Sequence, residues 1–226
     1  MHPILDDIRL VTFDLDGTLI DSVPDLAIAV DAALAELGLA AAGEARVRDW
    51  VGNGSRVLME RALLYATDPD VGKGNKGEAR LERAHAAFLA HYGRDPGAHT
   101  RLYPGARECL DGLRRRGLPL ALVTNKPHAF IAPLLEGLDL MDHFALCLGG
   151  DSLAEKKPHP APLLHVSAHF DVAPSACLMV GDSRHDIAAG RAAGFRTLAV
   201  PYGYNHGEPV RDSGPDGVVE SLAELV

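Results

Sequence analysis

The sequence has few cysteines, fewer basic than acidic residues and no long uninterrupted apolar segment. Its three cysteines, Cys109, Cys147 and Cys177, are odd in number and lack the CxxC spacing. These features argue against both a disulfide framework and a thiolate zinc site. We therefore expect all three thiols to be reduced and to lie in the core.

Basic residues are also fewer than acidic ones: the chain has 22 Lys and Arg residues and 31 Asp and Glu residues, which gives a formal net charge of -9. Such a surface repels a phosphate backbone, so nucleic acid is not an expected partner. The longest apolar stretch, residues 26–42, contains Asp31 and Glu36, so we expect neither a transmembrane helix nor a membrane partner. The amino-terminal residues lack the basic and apolar regions of a secretory signal, which predicts a cytoplasmic location.

Short apolar runs recur along a chain whose composition is otherwise that of an ordinary globular protein, with 47% hydrophobic and 23% charged residues. Each run has the length and the β-rich composition of a buried strand. Helix-length segments separate the later runs, and this alternation predicts an α/β fold with a doubly wound parallel sheet. The predicted strands span residues 8–13, 118–124, 144–150, 176–182 and 195–200.

About a hundred residues separate the first predicted strand from the second, too many for an ordinary connection. They contain helical patterns and no convincing strand signal. We predict a core domain of residues 1–19 and 99–226, with a helical cap of residues 20–98 inserted into it. Ser22 and Asp25 fit a capping box for the first cap helix, and the glycine-rich stretch 67–77 reads as a linker inside the cap.

Polar side chains follow the ends of the predicted strands. Asp14 and Asp16 come directly after the first strand, and their spacing places both carboxylates on one face. In parallel α/β sheets, ligands bind beyond the carboxyl ends of the strands. We therefore expect one site at this edge, built also from residues after three later strands: Thr124, Asn125, Lys157, Asp182 and Asp186.

The DxDGT segment, the strand-end threonine, the isolated lysine and the GDxxxD segment resemble the four motifs of the haloacid dehalogenase superfamily. The chain also resembles the bacterial phosphoglycolate phosphatases within that superfamily. His185 departs from this pattern, because we expect asparagine in its place; both acids of that motif are retained. The segments that carry the closer resemblance span residues 51–63, 117–127, 156–164, 180–187 and 201–208.

The resemblance implies Mg²⁺-dependent hydrolysis of 2-phosphoglycolate to glycolate and phosphate, and the chemistry of the acids agrees with it. Asp14 would act as the nucleophile and form an aspartyl phosphate. Asp16 would be the general acid and base, protonating the departing alkoxide and then activating water. Two like charges about 4 Å apart repel by roughly 4 kcal/mol at an effective dielectric near 20, so Asp14 needs a cation beside a phosphate dianion.

We expect Mg²⁺ to be that cation, because it prefers carboxylate, carbonyl and phosphate oxygens. The predicted ligands are Asp14, the backbone carbonyl of Asp16 and Asp182. Asp186 is a secondary candidate, since an acid in the first turn of a helix is also favoured by the helix dipole. Thr124 and Asn125 would donate hydrogen bonds to the phosphoryl group, and Lys157 would neutralise its remaining charge.

The sequence of the predicted cap does not determine which phosphomonoester the protein binds. The Gly52-Asn53-Gly54 stretch lacks the third glycine and the preceding strand of a dinucleotide fingerprint, so no nucleotide cofactor is expected. Arg56 or Arg61 could pair with the carboxylate of glycolate, or either could be a solvated helix charge. The alternatives are another capped phosphatase or a sugar-phosphate mutase of the same superfamily, and a binding protein without catalysis.

Overall fold

The computed structural model describes the backbone of residues 2–67 and 75–226 and the side chains of residues 2–67 and 77–226. Most of the glycine-rich stretch predicted as a linker lies outside the described residues. The strands of the large sheet are β1 (Leu10–Phe13), β4 (Leu120–Val123), β5 (Leu146–Leu148), β6 (Cys177–Gly181), β7 (Arg196–Ala199) and β8 (Gly217–Val218). All six are parallel, in the order β5-β4-β1-β6-β7-β8. Two further short strands, β2 (Ile20–Asp21) and β3 (Arg101–Leu102), pair antiparallel with each other.

Helices cover both faces of the large sheet, which confirms the predicted doubly wound α/β fold. Because strand side chains alternate, Val11 and Phe13 of β1 join one hydrophobic cluster while Leu10 joins another. The first cluster includes buried residues of α5 (Ala106–Arg115) and α6 (Ile131–Gly137), and the second includes those of α7 (Ala161–His169) and α8 (Arg184–Ala193). The central strands β1, β4 and β6 are therefore buried on both sides.

Among the described residues between β2 and β3 there are four helices: α1 (Val23–Glu36), α2 (Glu44–Trp50), α3 (Ser55–Ala66) and α4 (Asn75–Tyr92). They share a third hydrophobic cluster, to which Tyr204 also belongs. The short strands β2 and β3 pair with each other where the chain enters and leaves this helical segment. None of the helices in the described part of the chain combines the length and apolar character needed to cross a membrane.

The predicted capping box at the start of α1 is wrong. Ser22 is the N-cap residue, but its side chain makes no capping hydrogen bond. Instead, Ser22 Oγ donates to Asp16 Oδ1 at 2.6 Å. The Asp25 carboxylate accepts hydrogen bonds from His99 N at 3.0 Å and Thr100 Oγ1 at 2.7 Å. Both side chains thus connect the helix to other parts of the chain rather than closing its own first turn.

The three cysteines are free, and Cys109 and Cys177 are buried in the core as predicted. Cys147 is only half-buried and packs at the margin of the first hydrophobic cluster, so its prediction as a core residue is wrong in part. Burial raises the pKa of Cys109 to about 12. Its thiol is therefore protonated at neutral pH and behaves as a small apolar core side chain.

Candidate active site

Asp14 and Asp16 follow β1 and line one pocket. The backbone of Asp14 continues the sheet, since its N–H donates to the carbonyl of Val180 at 2.9 Å. Its Oδ1 accepts a hydrogen bond from Leu15 N at 2.7 Å and lies 2.9 Å from Lys157 Nζ. Asp14 is thus fixed from both sides, with 9% of the residue exposed to the pocket.

Lys157 is buried between two carboxylates. Its Nζ lies 2.9 Å from Asp14 Oδ1 and 2.6 Å from Asp186 Oδ1. Burial alone would lower the pKa of Lys157, but the charges of Asp14 and Asp186 raise it above its usual value. The ammonium is therefore charged and compensates part of the acidic cluster.

Asp182 follows β6 and is buried without contact to any cationic side chain of the described residues. Its Oδ1 accepts a hydrogen bond from Thr18 Oγ1 at 2.7 Å, and its Oδ2 accepts one from Tyr204 N at 2.6 Å. The turn after β1 approaches this carboxylate so closely that it requires glycine at position 17, where φ is +89° and a Cβ would lie 2.3 Å from Asp182 Oδ2. This contact gives a physical reason for the glycine of the DxDGT segment.

The Asp186 carboxylate has partners both at the start of α8 and in the acidic cluster with Asp14 and Asp182. Its Oδ2 accepts a hydrogen bond from Ser183 N at 3.0 Å, which belongs to the capping box at the start of α8, and a second one from Ser183 Oγ at 2.7 Å. Its Oδ1 contacts Lys157. Asp186 therefore already contacts a cation, whereas Asp182 accepts only neutral hydrogen bonds, so Asp186 has less need of a metal ion than Asp182.

Burial and neighbouring negative charge raise the pKa of Asp14 and of Asp182. Burial raises the pKa of Asp14 to about 7, with Asp186 adding to the effect and Lys157 opposing it. Burial, followed by the charges of Asp186 and Asp14, raises the pKa of Asp182 well above its usual value. Without a further cation, the site thus resists full ionisation near neutral pH.

The donor set suits a hard divalent cation. One carboxylate oxygen from each of Asp14, Asp182 and Asp186 can be chosen so that all three lie within 4.8 Å of one another, and all three residues are buried. Oxygen-only donors with excess negative charge are the environment that Mg²⁺ and related ions prefer. The cluster therefore fits such an ion on geometry and on charge.

Thr124 and Asn125 follow β4 and line the same pocket as Asp14. The Thr124 Oγ1 accepts a hydrogen bond from Lys126 N at 3.3 Å, which leaves its hydroxyl proton for another acceptor. Asn125 Nδ2 donates to the carbonyls of Gly52 at 2.9 Å and Lys157 at 3.0 Å. This amide connects the helical segment to the sheet edge, and its Oδ1 is buried without a partner among the described side chains.

Lys126 is a site residue that the sequence did not single out. Its Nζ lies 3.0 Å from Asp16 Oδ1 and 3.1 Å from Asp16 Oδ2, and it stands 4.7 Å from the ring centroid of Tyr92. Only its position directly after Thr124 and Asn125 could have suggested a role. The contact with Asp16 spans 110 residues of sequence and depends on the tertiary fold.

The helical segment forms an apolar wall opposite the acids. The pocket is lined there by Gly52, Gly54 and Ser55 together with Leu26, Val51, Leu58, Phe88 and Tyr92. Arg56 and Arg61 do not line it. Arg56 pairs with Glu78 and Glu82, and Arg61 donates to the carbonyl of Trp50 at 2.6 Å and to Asn53 Oδ1 at 3.1 Å.

His185 connects α8 to the helical segment. Its Nε2 lies 3.0 Å from Asn53 Nδ2. Burial and the neighbouring His206 lower the pKa of His185 to about 4. The ring is therefore neutral near pH 7, so its Nε2 can accept the amide hydrogen bond.

The parallel sheet, the strand-end acids and the buried lysine define a haloacid dehalogenase-like hydrolase. The model of that family, "Hydrolase: haloacid dehalogenase-like hydrolase", matches residues 8–194, and the chain belongs to this family. The resemblance inferred from the motifs is thereby confirmed.

The names of individual relatives are more specific than the description of the family. A protein of Nitrosococcus oceani named phosphoglycolate phosphatase is 46% identical over 96% of this chain and 94% of its own length. The phosphoglycolate phosphatase of Escherichia coli K12 is 46% identical over 98% of this chain and 92% of its own length. A crystal structure from Haemophilus somnus, described as a predicted phosphoglycolate phosphatase, has a TM-score of 0.91 and 38% identity, covering 97% of this chain and 96% of that one.

Proposed function

We propose that the protein is a phosphoglycolate phosphatase, hydrolysing 2-phosphoglycolate to glycolate and inorganic phosphate. The observation that carries this proposal is the 46% identity to proteins of that name over nearly the whole chain, together with a pocket lined by Asp14 and Asp16. A small phosphomonoester is the class of substrate that this combination supports. The free thiols agree with the cytoplasmic location that forms part of the proposal.

Residues 20–98 form the cap in this proposal, and residues 1–19 with 99–226 form the core. The shared hydrophobic cluster of α1 to α4 supports the division. So does the pairing of β2 with β3 beside both proposed boundaries. Motion of such a cap would admit the substrate and then exclude water from the pocket.

In the proposed reaction, Asp14 attacks phosphorus and the bond to the glycolate oxygen breaks, which leaves a phosphoryl group on Asp14. Lys157 and the backbone N–H of Leu15 hold the attacking carboxylate in place. The two amide N–H groups of Asn125 already donate to the carbonyls of Gly52 and Lys157, so its side chain does not supply the donor to the phosphoryl group that the sequence suggested. Thr124 donates its hydroxyl proton to a phosphoryl oxygen, and Lys157 compensates the phosphoryl charge. These contacts orient the phosphorus for attack before the chemical step begins.

Asp16 moves the protons. As an acid it protonates the departing glycolate oxygen, and as a base it then takes a proton from the water that attacks the phosphoryl group on Asp14. Ser22 Oγ and Lys126 Nζ hold its carboxylate at the pocket wall. One residue therefore serves both halves of the reaction.

We propose Mg²⁺ as the divalent cation, held by Asp14, Asp182 and the backbone carbonyl of Asp16, with Asp186 as a secondary ligand. When bound, the ion supplies positive charge that offsets the repulsion between Asp14 and the phosphate. The buried oxygens of Asp14, Asp182 and Asp186 support this choice. Asp182, which no cationic side chain of the described residues touches, has the greatest need of such an ion.

The proposed function is tested with a panel of small phosphomonoesters, each assayed for phosphate release with EDTA and with added Mg²⁺. We expect 2-phosphoglycolate to give the highest kcat/KM, because relatives that are 46% identical over nearly the whole chain are named for that substrate. EDTA should remove activity on every member of the panel, and Mg²⁺ should restore it. A higher kcat/KM for a sugar phosphate, or turnover that EDTA leaves intact, would contradict the proposal.

Removal of metal should also make stability depend on pH. A carboxyl whose pKa is higher in the folded than in the unfolded protein binds more protons when folded, so its ionisation reduces the free energy of unfolding as pH rises. For Asp14 and Asp182 this loss begins near the ordinary value of 3.8 and, for Asp14, continues to about pH 7. In EDTA, wild type should therefore lose stability relative to Asp182→Asn as pH increases from 4 to 7.

Urea denaturation at a series of pH values measures this difference. Adding Mg²⁺ at pH about 7 should stabilise wild type more than Asp182→Asn, because the ion replaces the missing positive charge. Parallel pH profiles for the two proteins would show that Asp182 carries no electrostatic penalty.

A further inference from the structure

The carboxylate of the proposed substrate needs a partner inside the pocket. One end of 2-phosphoglycolate faces Asp14, and its other end is an anion that the closed cap would remove from water. Burying a carboxylate without a compensating charge or hydrogen bond carries a large free-energy penalty. A phosphatase selective for this substrate must therefore present a cation or several donors beside the site of phosphoryl transfer.

Lys126 is the one basic side chain among the described residues that line the pocket. Arg56 is occupied at the surface by Glu78 and Glu82, and Arg61 is occupied by Trp50 and Asn53. Lys157 lies behind Asp14, where it contacts that carboxylate and Asp186. The cation closest to the expected place of the carboxylate is thus on the core side of the pocket rather than on the cap.

The position of Lys126 follows from its contact with Asp16. In the proposed reaction Asp16 reaches the oxygen that joins phosphorus to glycolate, and the carboxylate carbon is only two covalent bonds from that oxygen. Lys126 Nζ lies 3.0 and 3.1 Å from the two oxygens of Asp16. The ammonium therefore lies within a few bond lengths of the carboxylate of any substrate whose leaving oxygen Asp16 can protonate.

The surroundings of Lys126 keep it charged and in place. Only 3% of its side chain is exposed, and the ring of Tyr92 from the helical segment lies under the ammonium. Burial alone would lower the pKa of Lys126, but Asp16 and Tyr92 raise it overall. The ammonium carries three N–H donors, of which Asp16 occupies two.

We propose that Lys126 is the residue that selects for the carboxylate of the substrate, pairing with it while remaining in contact with Asp16. This inference rests on the proposed function. It assigns substrate selection to the segment after β4, with Tyr92 as the cap residue that completes the subsite.

The test compares wild type with Lys126→Met, which keeps the length of the side chain and removes its charge. Two substrates are used: 2-phosphoglycolate, and ethyl phosphate, which lacks the carboxylate. We expect kcat/KM for 2-phosphoglycolate to fall about 10²-fold more than kcat/KM for ethyl phosphate, because the carboxylate would be buried without its partner. Most of this selective loss should appear as an increase in KM.

Lys126→Arg is the matched control. It keeps a positive charge at the position and should retain most of the selectivity that Lys126→Met loses. Lys126→Gln provides a second neutral side chain in case Lys126→Met does not fold, and inhibition by inorganic phosphate reports whether each variant keeps its phosphoryl site.

Equal losses on both substrates would show that Lys126 acts only by positioning Asp16, and unchanged selectivity would show that another residue binds the carboxylate. Either result overturns the inference. A wild-type enzyme that does not prefer 2-phosphoglycolate to ethyl phosphate would instead overturn the proposed function.

Discussion

Asp14→Asn should reduce turnover of 2-phosphoglycolate by roughly 10⁴-fold or more, because loss of a catalytic nucleophile has effects of that order. The amide has the shape of the carboxylate and its Oδ1 can still accept the hydrogen bond from Leu15 N. It is a far weaker nucleophile, so no phosphoryl group should be transferred to it. The fold should be kept, since the change removes a buried carboxyl whose pKa burial has raised.

Asp25→Asn is the matched control for this substitution. Asp25 is also buried and accepts hydrogen bonds from backbone and side chain, but it lies outside the pocket. We expect Asp25→Asn to be less stable and to retain its activity where it remains folded. Assays of phosphate release, with circular dichroism of each variant, separate the two effects. Substantial turnover by Asp14→Asn would exclude Asp14 as the nucleophile.

Asp16→Asn should reduce kcat for 2-phosphoglycolate by about 10²- to 10⁴-fold, the usual contribution of general acid and base catalysis. The loss in the first chemical step should be much smaller with p-nitrophenyl phosphate, because its leaving group departs without a proton. Hydrolysis of the phosphoryl group on Asp14 would remain slow, since the base is missing. Rapid mixing should therefore show a burst of p-nitrophenol followed by slow turnover.

Ser22→Ala provides the comparison for Asp16→Asn. It removes the hydroxyl that donates to Asp16 Oδ1 at 2.6 Å but leaves the carboxylate and its contact with Lys126. Its effect on kcat should be smaller than that of Asp16→Asn, and no burst is expected. Equal losses for Asp16→Asn on the two substrates, without a burst, would mean that Asp16 does not transfer protons.

The sequence predicts the central strands of the sheet well because β1, β4 and β6 are apolar runs buried on both faces. The runs around Phe13, Leu122 and Val180 illustrate this, since all three side chains are in the core. The edge strand β8 was missed because Gly217 and Val218 are too short a segment to form a pattern. Helix α2 was missed for a related reason: Val47 is its one buried residue, so no periodic apolar face marks it.

The wrong prediction for Asp25 and the oversight of Lys126 both arise from contacts between distant segments of the chain. Asp25 has the spacing of a capping residue, but the fold brings His99 and Thr100 to its carboxylate, and these partners replace the local hydrogen bond. Lys126 has no motif of its own, and its place in the site depends on contact with Asp16 and Tyr92. Local spacing identifies the strand-end acids, but it does not reveal which cation lies beside each of them.

The account depends most on the transfer of a phosphoryl group to Asp14, and mass spectrometry of the trapped enzyme tests this directly. Asp16→Asn would be mixed with p-nitrophenyl phosphate, quenched in acid during the burst, digested and sequenced by fragmentation. We predict the added mass of one phosphoryl group on the side chain of Asp14, removed by hydroxylamine and absent from the corresponding Asp14→Asn digest. A burst of product without any phosphoryl group on Asp14, or with the group on another residue, would contradict the account.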